Sequence, residues 1–261
     1  MSDESSPARV TLPDYVNLDL PEPPADRPYV LVNMVTSADG KIVIEGSEQG
    51  LGSPADQRLM RALRTNVDAV LNGATTLRKS GSSPEVGDPS LVALREARGL
   101  APSPLGVVLT DSGRLPVDDT FFTSEAFPAV VVATTATPED GLARLRATAR
   151  PVEVVSSTSA VTEMLRIVRQ KYGVRWLLCE GGATLNGHLF DHGLVDECFL
   201  TVAPRIVGGD VTLTPVRGAR PASFEATWPL TLLSAVPNPE TSEVYLRYRV
   251  ASGPGVPPKR S

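Results

Sequence analysis

The chain has 261 residues, 41% of them hydrophobic, with a formal net charge of −5. That length suits one large domain, and the acidic balance leaves no electrostatic footprint for nucleic acid. No apolar run approaches the roughly 20 residues of a membrane span, and the N-terminus lacks the basic start and apolar core of a secretory signal.

Residues 1–27 carry Pro7, Pro13, Pro21, Pro23 and Pro24 among acids and serines, and read as a flexible arm. Tyr15, Val16, Leu18 and Leu20 offer it a way to dock on the body or on a partner. Residues 28–251 read as the folded domain and 252–261 as a disordered tail. Within the domain, Tyr29 to Thr36 is strand-like. Ser53-Pro54-Ala55-Asp56 is a helix start, with a capping serine, proline at the first helical position and then an acid. Leu59, Leu63 and Val67 carry the apolar stripe onward, and Asp68 to Leu71 returns as a strand. Leu105 to Thr110 and Ala129 to Thr134 are short, Val-rich and bounded by turn residues, as buried strands are. Thr137-Pro138-Glu139-Asp140 opens a helix, and Thr158 to Tyr172 forms another, stopped by Gly173. Arg175 to Cys179 is a strand that ends in Glu180-Gly181-Gly182 and turns at once into a helix reaching about His192. Cys198 to Ala203 and Val244 to Val250 read as late strands with no helix between them. The expected layout is α/β: one domain with a mainly parallel central sheet, helices on both faces and antiparallel C-terminal strands.

The Glu180–Leu185 stretch is the most informative. Glycines let the backbone adopt conformations closed to other residues and let a ligand approach the main chain. The free N–H groups and positive dipole end of the following helix then make a phosphate cradle. Asn72-Gly73-Ala74-Thr75-Thr76 and Thr36-Ser37-Ala38-Asp39-Gly40-Lys41 also follow strands, where open α/β sheets bind ligands. Alone, each is only a turn signal. Arg58, Arg61 and Arg64 share a helix, and Arg64 runs toward the Gly73 turn, where a guanidinium suits a substrate phosphate. Neither G-x-G-x-x-G nor G-x-x-x-x-G-K-[ST] occurs. His188 and His192 lack the companion ligands a metal needs, so no metal is expected. Cys179 and Cys198 read as buried free thiols, and the default location is cytoplasmic.

Taken in order, Val32–Ile42, Leu51–Asp56 through Ala62–Arg64, Asp68–Arg78, Glu180–Leu185 and Gly193–Gly209 resemble the riboflavin-biosynthesis pyrimidine reductase family. That family also forms the reductase domain of the bifunctional deaminase–reductases. The resemblance covers about residues 29–250 and implies a dihydrofolate-reductase-like fold, NADPH as hydride donor and a homodimer. It implies that a ribosylamino-pyrimidine 5′-phosphate has its ribose reduced to a ribityl chain, alone or beside a separate deaminase. By position, Val35, Thr36, Gly73, Thr76, Asp111, Gly181, Gly182, Ala183, Thr184, Leu185, Asn186, Gly187 and His188 line the cofactor. Asn33, Ser47, Glu48, Arg64 and Glu180 face the substrate. Glu180 and Asp39 are the acids expected to orient the reacting groups or move protons. Three departures lie on the ligand side: Asn33 where many members have lysine, Leu77–Ser83 in place of an acidic loop, and the aromatic lost near Gly50. They leave open a related reductase acting on another heterocycle, such as a dihydropterin, and a non-catalytic NADP-binding subunit.

Overall fold

The computed structural model describes residues 12–47, 50–81, 83–210, 213–218 and 227–251. The first strand, β1 (Tyr29–Ser37), is followed by α1 (Pro54–Arg64), β2 (Ala69–Gly73), α2 (Ala74–Ser80) and α3 (Pro89–Ala97). Next come β3 (Leu105–Thr110), α4 (Thr120–Thr123), β4 (Ala129–Thr134), α5 (Glu139–Arg146) and β5 (Val152–Val155). The chain ends with α6 (Ala160–Lys171), β6 (Trp176–Cys179), α7 (Ala183–Asp191), β7 (Glu197–Ala203), β8 (Leu230–Pro237) and β9 (Val244–Val250). One nine-stranded sheet runs β5-β4-β3-β2-β6-β1-β7-β9-β8. β5 through β7 in that order are parallel, and β9 and β8 are added antiparallel.

Alternation along the strands puts two apolar sets on opposite faces. Val30, Val32, Ala69, Leu71, Val107, Val130 and Val132 face α6 and α7. Leu31, Val70, Leu178 and Phe199 face α1, while Val108 and Val131 face α2, α4 and α5. Helices thus cover both faces of the sheet. Ser53 caps α1, its hydroxyl accepting from the N–H groups of Ala55 and Asp56.

Five elements were not expected. α2 follows β2 with no polar cap, because Gly73 stands at its cap position. α3 is capped by Asp88 and opens with Pro89. α4 and β5 are only four residues each, and the edge strand β8 is apolar but mostly exposed, with no alternating buried face.

Residues 12–27 lie along the body. Tyr15 is 5% exposed and meets Phe199 edge-to-face at 5.0 Å. The Asn66 amide donates to the Tyr15 carbonyl at 2.8 Å, and the Trp176 indole donates to the Pro21 carbonyl at 3.1 Å. Both contacts sit at the N-terminal ends of β2 and β6, away from the glycine turns. Arg27 then forks onto Asp196 at 2.6 and 3.0 Å, and the Val30 N–H donates to the same carboxylate at 2.8 Å. Removing one partner of a buried pair strands the other charge. Asp196→Ala should lower stability by about 3–5 kcal/mol in urea denaturation; a loss under about 1 kcal/mol would show that the fork does not hold the arm.

Candidate active site

β1, β2, β3 and β6 end side by side, so their connections converge on one rim of the sheet. The ends of β2 and β6 interlock through the main chain. The Glu180 N–H donates to the Leu71 carbonyl at 3.0 Å, and the Gly73 N–H to the Gly181 carbonyl at 2.8 Å. Two glycines are required here. Gly181 has φ +89°, a conformation other residues take only under strain, and a Cβ on Gly73 would lie 3.3 Å from the Gly182 nitrogen. The Gly181–Gly182 peptide bond is cis. α7 starts at once from Gly182, which has no side chain to cap the first-turn N–H groups.

Those groups border a cavity of about 390 Å³. Gly73, Thr76, Asp111, Gly182, Ala183, Thr184, Leu185 and His188 line it, as the sequence suggests. Thr75, Arg78 and Lys79, which belong to segments the sequence puts on the ligand side, line it as well, and so does Arg217, to which the sequence did not point. Three cations therefore face a single carboxylate, Asp111, which accepts from the Thr134 hydroxyl at 2.9 Å. Asn186 and Gly187 are turned away. Asn186 is fully buried and donates to the Pro215 carbonyl at 2.8 Å, and a Cβ on Gly187 would meet the Arg217 carbonyl oxygen at 2.0 Å. Both residues dock the 213–218 segment that walls the cavity.

A second cavity, of about 670 Å³, opens on the α1 side. Asn33, Val35 and Glu180 line it with Met34, Ile42, Gly50, Gly52, Asp56, Gln57 and Met60. Val35, expected at the cofactor, lines this second cavity and not the first. Met34 stands between the two regions: a Cβ on Gly181 would come within 3.0 Å of its sulfur. Thr36 is buried, its hydroxyl donating to the Ser37 and Lys41 carbonyls. Ser47 closes a turn with Ile44, and Glu48 lies outside the described residues.

Glu180 is fixed by Arg64. Nε and Nη2 donate to its two carboxylate oxygens, each at 2.7 Å, and Nη1 donates to the Glu85 carbonyl at 2.6 Å. Both side chains are 10% exposed. Burial works against the Arg64 charge, but Glu180 more than offsets it, and the guanidinium stays above its ordinary pKa. Arg64, expected at the substrate phosphate, instead sits behind Glu180 and aims it. Asp39 is also placed differently. Its carboxylate accepts from the Ser37 hydroxyl at 2.6 Å and from the N–H groups of Val207 and Gly208 at 3.0 and 2.8 Å. Those bonds hold it well below the usual carboxylate range. It is not among the described residues lining either cavity, and its bonds tie the β1 turn to the Val207–Gly208 loop. Cys179 and Cys198 are free thiols whose pKa values burial pushes up to about 12.

A model of the RibD C-terminal domain family matches residues 28–233. The chain belongs to that family. The RibD-type domain is 33% identical over 193 residues to the 2,5-diamino-6-ribosylamino-4(3H)-pyrimidinone 5′-phosphate reductase of Methanothermobacter thermautotrophicus, covering 74% of this chain and 85% of that one. Its fold matches a pyrimidine reductase-like protein of Corynebacterium diphtheriae with TM-score 0.77 at 22% identity, over 86% of this chain and 92% of that one. It also matches a Thermotoga maritima diaminohydroxyphosphoribosylaminopyrimidine deaminase/5-amino-6-(5-phosphoribosylamino)uracil reductase. There the TM-score is 0.62 at 19% identity, and the overlap is 86% of this chain and 57% of that chain.

In this RibD-type domain the Arg64–Glu180 pair is the buried charge at the site. Arg64→Met should cost about 3–5 kcal/mol, and adding Glu180→Leu should restore most of that loss. Urea midpoints of the two variants test this; equal stability of single and double variants would contradict the pairing.

Proposed function

We propose that this RibD-type domain is an NADPH-dependent reductase that converts the ribose of a ribosylamino-pyrimidine 5′-phosphate to its ribityl form. One observation carries the reading: a cation-lined cradle at the start of α7 abuts a cavity holding a charged Glu180. Three observations fit a phosphorylated dinucleotide. Gly73 and Gly181 leave the main chain bare where a side chain would intrude. The first turn of α7 is free of a side-chain cap. Arg78, Lys79 and Arg217 outnumber Asp111, as suits a ligand with an extra phosphate.

When bound, NADPH supplies the hydride. The protein's part is to place, to shield and to handle protons. Met34 and Ile42 give the second cavity apolar wall toward the cradle, keeping water from the reacting carbon. The opened ribosylamine is a Schiff base at C1′ whose cationic form a carboxylate stabilises. Glu180 provides that carboxylate on the cavity wall and holds or moves the proton at the ribose oxygen. Arg64 fixes its orientation.

Glu180→Gln should lower turnover about tenfold or more while NADPH still binds. Single-turnover NADPH oxidation at 340 nm measures the first and calorimetry the second; wild-type turnover would remove Glu180 from the mechanism. Arg78→Ala should raise KM for NADPH by about tenfold and leave that for NADH unchanged. Equal effects on both would deny Arg78 the extra phosphate.

Free thiols suit a reducing, cytoplasmic setting, and no described helix is long and apolar enough to cross a membrane. A homodimer is proposed on β8, an edge strand exposing Leu230, Leu232 and Leu233. Leu232→Glu should convert the dimer to monomer in analytical ultracentrifugation; a wild-type monomer at micromolar concentration would contradict it.

A further inference from the structure

The second cavity contains a carboxylate that the mechanism above does not use. Asp56 sits in the first turn of α1, on the wall that also carries Gln57 and Met60. Its setting is poor for a charge. No cation among the described residues pairs with it, and its neighbours include a second carboxylate, Glu243. Glu243 is satisfied: it accepts from the Ser53 N–H at 2.7 Å, the Ser53 hydroxyl at 2.6 Å and the Tyr245 hydroxyl at 2.7 Å. Burial pushes Asp56 up to about 6, opposed by the Thr201 hydroxyl and reinforced by the Glu243 charge. Space has been left for it, since a Cβ on Gly52 would lie 2.1 Å from its Oδ2.

A carboxylate in such a place wants charged or paired N–H donors, and the described wall brings it no cation. A ligand ring with two adjacent N–H donors can supply them. The other polar groups of the wall are spent or neutral: Glu180 is held by Arg64, and Asn33 and Gln57 are amides. Met34, Val35, Ile42 and Met60 supply apolar surface for a flat ring. A 2-amino-4(3H)-pyrimidinone presents two coplanar donors on one edge, the N3–H and the 2-amino group, at the spacing of two carboxylate oxygens. The uracil-type ring presents N3–H beside the C2 oxygen, and that oxygen would face a carboxylate oxygen.

We propose that Asp56 reads the N3–H and 2-amino edge of the pyrimidine ring and selects the 2-amino ring over the 2-oxo ring. The proposal rests on the pyrimidine-reductase reading, and it names the ring that the enzyme takes. It places the reaction before the hydrolytic loss of the 2-amino group, so a deaminase would consume this product.

The test compares kcat/KM for the two ribosylamino-pyrimidine phosphates, 2-amino and 2-oxo, with NADPH. The wild-type protein should favour the 2-amino ring on the order of a hundredfold, since a site built for a donor rejects an isostere that lacks it. Asp56→Asn should reverse that order, because its amide donates to the C2 oxygen and accepts from N3–H. Gly52→Ala, which crowds the carboxylate without removing it, should shrink the preference. Calorimetry of the two ribitylamino products with the same proteins gives a readout that needs no turnover, and should show the same reversal. A preference unchanged in Asp56→Asn, as expected if Asp56 meets a sugar hydroxyl, overturns the proposal and leaves the reductase reading standing. Oxidation of NADPH with neither ring by the wild-type protein overturns that reading and the proposal with it.

Discussion

The buried pairing of Arg64 with Glu180 is the constraint on which the site depends. Two charges at 10% exposure are costly to desolvate, and only close, two-pronged geometry offsets the cost. That geometry needs α1 to end at the right depth beside β6. Arg95 sets the depth: it is 1% exposed, donates to the Arg64 and Val67 carbonyls, and so holds the C-terminal end of α1. On the other side the Glu180 N–H is fixed to β2. A carboxylate held at both its main chain and its side chain cannot swing, and the role proposed for Glu180 needs that fixed position.

Around that pair the rim divides into two chemical settings. Toward α7 the walls are main-chain N–H groups and cations, suited to phosphates. Toward α1 they are thioethers, aliphatic side chains, amides and carboxylates, suited to a neutral ring with N–H donors. Gly181 and Met34 form the border, packed so closely that a larger residue at 181 would have to displace the thioether. The N-terminal arm contacts the opposite ends of the strands, so its anchoring serves the fold.

Much of this was legible because local rules and tertiary structure agree. β3 and β4 begin and end where the Val runs do, since strands buried on both faces need continuous apolar residues. α1 begins at Pro54 because Ser53 is a strong cap, and the Gly181–Gly182 turn announced the cradle. Other features were illegible for equally physical reasons. Asp39-Gly40 has the same appearance whether or not its carboxylate closes a loop, because the N–H groups it accepts from lie 168 and 169 residues away. Arg64 suits a phosphate by type, but Glu180 lies 116 positions along the chain. Asp56 reads as a favourable acid in a first turn, and that local role hides its place on the wall of the second cavity. One signal was available: Asp56, Met60 and Arg64 are spaced by four, so a helix that aims Arg64 at the rim aims the other two there as well.

The most direct measurement of the central claim is a crystal structure of the protein with NADPH. The account predicts its pyrophosphate on the N–H groups at the start of α7, its extra phosphate among Arg78, Lys79 and Arg217, and its nicotinamide at the Met34 border facing Glu180. Density for the dinucleotide anywhere else, or a nicotinamide ring turned away from the cavity that Glu180 lines, would contradict it.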